Sequence, residues 1–218
     1  AQTNNSLPDY LQLQPAVHAL SMVMMHDVTS PPVAARYYAY GMLGAYTIVS
    51  QNNTSIPSLS RFVESYQDVM IPVANKKYDY RVAAVFCILE TGRQLLPSGY
   101  MLEDVETRYP QQLKKNNLSS RVINESVAMA KQVAKNVVAY SKSDHYNQLS
   151  TLVNYTPLKG DGYWYPTPPS YMEAVEPHWN TIRVMLIDSA SEFKPYLPIP
   201  FSKDSGTAFY NLAREVYD

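Results

Sequence analysis

"SPPVAARYYAYGMLGAYTIVS", residues 30–50, decides the fold. After the two prolines nothing interrupts it, and Ala34, Gly41, Ala45 and Ile48 fall on one face at helical spacing. Small residues on that face let a neighbouring backbone approach closely, while Tyr37, Tyr38 and Tyr40 spread around the cylinder. Gly41 and Gly44 each cost a helix about 1 kcal/mol relative to alanine. Tight packing offsets that cost and a solvated face does not, so the stretch predicts a buried helix in a multi-helix core.

Upstream, Leu13, Val17, Leu20, Met24 and Val28 make one apolar stripe, predicted buried. "TSPP" ends that helix and starts the next, with Ser30 as N-cap and Pro31 and Pro32 in the first turn, where a missing N–H costs little. Downstream of the polar link "QNNTSIPS", a third helix runs through Tyr78, Val82, Val85, Phe86 and Leu89. Another is carried by Ile123, Val127, Ala130, Ala134 and Val137. Between them "MLEDVETRYPQQLKK" predicts a shorter helix broken before Pro110. No stretch alternates at period two, so the class is all-α: a helical bundle with a Pro/aromatic-rich irregular segment toward the C-terminus.

The texture changes near residue 150. Prolines at 157, 166, 168, 169, 177, 195, 198 and 200 forbid long helices there. Tyr163, Trp164, Tyr165 and Trp179 supply the apolar area to hold such a segment against the helices. The predicted organisation is a bundle over residues 1–150, a bracing segment over 151–204, and over 205–218 the start of a further helix. That helix has neither a glycine stop nor a cap, which reads as leading into a bundle absent from this chain.

At 218 residues, 46% hydrophobic and 17% charged, the composition is globular. A net charge of -1 without a basic tract argues against a nucleic-acid partner. No apolar run approaches the ~20 residues of a membrane span. The start "AQTNNSLPDY" suits a chain whose signal peptide has been removed, and the abundance of tyrosine agrees with an exported, periplasmic or cell-surface protein. The single cysteine, Cys87 in "RVAAVFCILE", predicts a buried, inert thiol.

Chemistry is sparse. Gly160-Asp161-Gly162 lacks the third glycine and the strand of a nucleotide loop, and no Gly-x-Ser-x-Gly elbow is present. His18 and His26 read as packed or capping residues and His145 as solvated; Asp27 is offset by 100° from His26 on a helix. No residue is assigned a catalytic role and no metal ligand set is evident. "EPHWNTIR" gathers Glu176, His178, Trp179 and Arg183 beside the aromatic segment. They could bind an oxyanion, but the simpler expectation is a helix start in which His178 and Arg183 satisfy carbonyls of the proline-rich loop. Trp164, His178, Trp179 and Arg183 are thus the candidate pocket or interdomain residues.

Two stretches carry a resemblance: "HDVTSPPVAARYYAYGMLGAY" (His26–Tyr46) and "GDGYWYPTPPSYMEAVEPHWNTIR" (Gly160–Arg183). Through Asp27-x-x-Ser30-Pro31-Pro32-Val33-Ala34-x-Arg36 and Trp164-x-Pro166-Thr167-Pro168-Pro169 they resemble the N-terminal half of bacterial vanadium-dependent haloperoxidase-like proteins. These belong to the type-2 phosphatidic acid phosphatase superfamily, here the exported kind common in Bacteroidetes. The likeness extends over most of the chain, with Val184 where relatives carry proline. It implies a parent haloperoxidase or phosphatase of two helical bundles, the second holding vanadate or phosphate through Lys-x6-Arg-Pro, Pro-Ser-Gly-His and Ser-Arg-x5-His. Such chemistry needs several fixed cations and an imidazole around a pentacoordinate oxyanion.

None of those motifs is complete here. Lys114 and Arg121 have the first spacing but Val122 replaces proline; Pro97-Ser98-Gly99-Tyr100 has tyrosine for histidine; the third is missing. The expectation is therefore a non-catalytic N-terminal domain with no cofactor of its own. Its partner would be a downstream catalytic bundle of the same protein, with a homodimer a further option. The competing reading is an exported, aromatic-rich glycan-binding or interaction protein, in which both tryptophans stand open to solvent.

Overall fold

The computed structural model describes residues 7–68 and 77–218. Ala1 to Ser6, on which the export reading partly rests, lie outside the described residues. Among the described residues there are six α-helices and no strand: α1 (Gln14–His26), α2 (Pro31–Asn52), α3 (Tyr80–Leu95), α4 (Glu103–Lys115), α5 (Ser120–Ser141) and α6 (Ala208–Tyr217).

The bundle is organised around α3, in which every residue from Val82 to Gly92 is buried. A helix with no polar face has nothing to offer water and is stable only at the centre. It begins at Asp79, whose Oδ1 accepts the Arg81 N–H at 2.9 Å. α2 and α5 flank it, and α1 and α4 also pack on it. α5 is capped by Ser119, whose Oγ accepts the Val122 N–H, and faces the core with Ile123, Ala130, Val133, Ala134 and Val137.

The glycines of α2 behave as the sequence suggests, though unequally. A Cβ on Gly44 would lie 2.7 Å from Cys87 Sγ, so α2 and α3 touch almost backbone to side chain there. At Gly41 the nearest atom, Leu20 Cδ2, is 3.5 Å away, an ordinary contact. Cys87 is fully buried, and burial pushes its thiol up to about 12, so it is an apolar filler.

Several expectations are corrected. Leu13 and Val28 do not join the α1 stripe: Val28 is 88% exposed with φ 50°, because α1 ends at His26 and the chain turns through Val28 in a left-handed conformation. Ala16 and Val23 complete the buried face instead. Tyr78 precedes α3. α4 is not broken before Pro110 but passes through it. Tyr109 and Leu113 are both buried, one on each side of the proline in sequence, and packing holds the two halves in line despite the lost hydrogen bond. His26 and Asp27 do meet at the C-terminal end of α1, Nδ1 to Oδ1 at 3.2 Å.

Beyond α5 the chain runs irregularly from Leu152 to Thr207 with only short 3-10 turns. Most of it is exposed; Trp179 and Met185 are the hydrophobic residues of this stretch that pack on the core.

Candidate functional site

Arg36, in the second turn of α2, is buried and cannot remain unpaired there. Its Nε donates to Asp144 Oδ2 at 2.6 Å and its Nη2 to the Ser141 carbonyl at the end of α5 at 3.3 Å. The guanidinium lies 4.3 Å from the centre of the Tyr146 ring and 5.0 Å from that of Tyr40. Asp144 is 1% exposed and fully used: Oδ2 also accepts Tyr40 Oη at 2.7 Å, and Oδ1 accepts the Tyr146 N–H at 3.0 Å. Burial, then the hydrogen bond to Asp144, drives the Tyr40 phenol far above its ordinary value, so it remains a donor.

Arg183 joins the same assembly from the irregular segment. Nη1 donates to Ser143 Oγ at 2.6 Å, and Nη2 to the Tyr140 carbonyl at 3.1 Å and Tyr40 Oη at 3.2 Å. Its Cζ sits 3.6 Å from the centre of the Tyr140 ring, while its own N–H donates to the Asp144 carbonyl. The sequence placed this arginine on carbonyls of the proline-rich loop; it satisfies α5 instead. His178 does serve the loop, Nε2 to the Val153 carbonyl at 2.7 Å, and since a carbonyl only accepts, Nε2 carries the proton. The helix expected to start here is a single 3-10 turn, Trp179–Thr181.

Ser30 occupies the N-cap of α2, but its hydroxyl donates outward to Glu176 Oε1 at 3.0 Å rather than accepting from the first turn. The two stretches that carry the resemblance therefore meet one another. Asp27, Ser30 and Arg36 from the first each tie α1 or α2 to a distant segment. Asp27 accepts the Ser98 N–H at 3.1 Å; against the opposing effect of burial, bonds from Ser98 and His26 hold its carboxyl below the ordinary value. Gly99, next in "PSGY", has the Arg93 carbonyl oxygen 2.1 Å from where a Cβ would stand, so this tight turn admits only glycine.

The tryptophans divide. Trp179 packs edge-on against Tyr146 at 6.3 Å, backing the ring that covers Arg36. Trp164 is 49% exposed and lies 6.1 Å from Tyr155, and both line a groove of about 650 Å³ between the end of the bundle and the irregular segment. Glu173, Glu176 and His178 also line it.

An oxyanion cage does not fit these residues. Arg36 is spent on Asp144, Arg81 on Asp79, and Arg93 on Glu90 and Glu106. Lys203 pairs with Asp161 and Arg214 with Asp218. Lys114 and Arg121 are exposed residues on either side of the α4–α5 turn, and Tyr100 is exposed too. Among the described residues no cluster of His, Cys, Asp or Glu is arranged to hold a metal ion, and no helix is long and apolar enough to cross a membrane. Asp144, Tyr140, Tyr155 and Glu173 were not singled out in the sequence. Asp144 lies in the polar bend "SKSDHY", where an unpaired Arg36 on a buried helix face was the one available signal.

Among solved structures, a bacterial vanadium-dependent iodoperoxidase matches with a TM-score of 0.88 and 34% sequence identity. The match covers 94% of this chain and 49% of that one, so the chain spans about half the length of the relative it matches. No protein-family model and no curated protein matches.

Proposed function

The chain has a vanadium haloperoxidase-like fold, and from that premise we propose that it is the non-catalytic N-terminal helical domain of an exported haloperoxidase-like or phosphatase-like enzyme. Its work is to hold a second, oxyanion-binding helical bundle in place. The observation that carries this reading is the extent of the match, nearly all of this chain against half of the iodoperoxidase.

The use of its charged side chains supports it. Arg36, Arg93 and Arg183 are committed to internal braces, and residues of both resembling stretches meet around Arg36, with Ser30 on Glu176 and Arg36 and Arg183 sharing Tyr40 and Asp144. Large apolar side chains over 186–217, among them Leu186, Phe193, Leu197, Leu212 and Val216, are exposed and provide area for such a bundle to cover. Vanadate or phosphate would then be held by the partner bundle, since the residues here do not fit it.

The test is reconstitution. The 218-residue chain should oxidise neither iodide nor bromide with peroxide, with or without orthovanadate, and should not hydrolyse p-nitrophenyl phosphate. Joined to the segment that follows it in its reading frame, it should gain one of these activities. Turnover by the chain alone that vanished in His178→Ala would overturn the proposal, as would a silent extended protein.

A further inference from the structure

The groove at Trp164 is unused by any role assigned so far, and its lining is specific. Trp164 and Tyr155 present half-exposed rings 46° apart, an open V and not an enclosing cage. Glu173 and Glu176 add carboxylates, and the amides of Asn147 and Asn154 add groups that both donate and accept. No lysine or arginine lines it.

Each feature narrows the ligand. Carboxylates without a cation repel phosphate, sulfate and vanadate. A quaternary ammonium ion wants rings converging on it and has no use for amides, because it carries no N–H. A neutral sugar ring suits the rings, carboxylates and amides together. Its C–H face lies on an aromatic plate, its hydroxyls donate to carboxylates, and amides complete the remaining bonds. About 650 Å³ lies within the range of pockets that hold small organic ligands.

We infer that this groove binds a neutral oligosaccharide, with Trp164 and Tyr155 as the stacking platform and Glu173 as a hydroxyl acceptor. The site does not depend on the enzymatic reading and goes beyond it; the chain can bind sugar whether or not a catalytic bundle accompanies it. Trp179, packed against Tyr146, takes no part.

Calorimetry and tryptophan fluorescence on the 218-residue chain test this with maltohexaose, cellohexaose, laminarihexaose, xylohexaose and mannohexaose as probes. At least one should bind saturably, about tenfold more weakly in both Trp164→Ala and Tyr155→Ala, and more weakly in Glu173→Gln. Trp179→Phe should bind as the parent chain does. Far-UV circular dichroism verifies the fold of each variant, and either aromatic variant suffices if the other does not fold. Phosphate, orthovanadate and tetramethylammonium should not displace the sugar. The inference fails if no hexasaccharide binds at about 10 mM, if the aromatic variants bind unchanged, or if tetramethylammonium or an oxyanion competes. None of these outcomes bears on the reconstitution experiment.

Discussion

Asp144 ties α2 to the chain beyond α5. It accepts from Arg36, Tyr40 and the Tyr146 backbone, and its carbonyl accepts from Arg183. Truncation would leave the Arg36 guanidinium buried with only a carbonyl and ring faces around it. Asp144→Ala should therefore lower the free energy of unfolding by about 3–5 kcal/mol, measured by urea denaturation. Loss below about 1 kcal/mol, the range of exposed pairs, would mean that water reaches the site. Arg36 itself was legible only as part of a resembling motif. Its reason for being there was not, because its partner stands more than 100 positions away in a bend without periodicity. Ser30 shows the same limit: its position at a helix start was readable and its partner, Glu176, was not.

At the scale of the element, α2 shows how alike two glycines look in sequence and how differently they act. Gly41→Ala gains helix propensity and places its methyl 3.5 Å from Leu20, so it should stabilise the fold by up to about 1 kcal/mol. Gly44→Ala gains the same propensity but drives a methyl to within 2.7 Å of Cys87 Sγ in a filled core. Overpacking should outweigh the gain and leave a net loss of about 1–2 kcal/mol. Thermal unfolding of the two variants checks both signs, and identical shifts would contradict the packing described. The sequence announced the helices because the 3.6-residue period of buried side chains is local. It missed the passage of α4 through Pro110 because Tyr109 and Leu113 are held by residues elsewhere in the chain, including the Tyr10 carbonyl that accepts from Tyr109 Oη at 2.8 Å.

The stability of the whole molecule carries a pH signature set where α4 meets α3. Glu90 accepts from Arg93 and Gln94, and burial together with that neighbouring carboxylate pushes Glu106 up to about 8. In the unfolded chain Glu106 titrates near 4.3. The folded state thus binds the extra proton across the interval between, and stability falls as pH rises through it. Between pH 5 and 8 the full shift corresponds to a loss of about 3–4 kcal/mol; solvent screening at this partly exposed site reduces it to on the order of 2 kcal/mol, seen as a declining urea midpoint, and Glu106→Gln should flatten the slope. A slope unchanged in that variant would assign the effect elsewhere. Glu90 is shifted the other way, with burial opposing and Arg93 prevailing, and acts only at acid pH. By itself the sequence determined the all-α class, the cores of the main helices, the buried cysteine and the likeness carried by two short stretches, since period, proline placement and side-chain size are properties of neighbouring residues. Tertiary structure alone decided that those stretches bind each other, that Arg183 faces α5, and that Trp164 stands open while Trp179 is packed. Those outcomes depend on which distant groups a buried charge or ring can reach, and no local pattern records that.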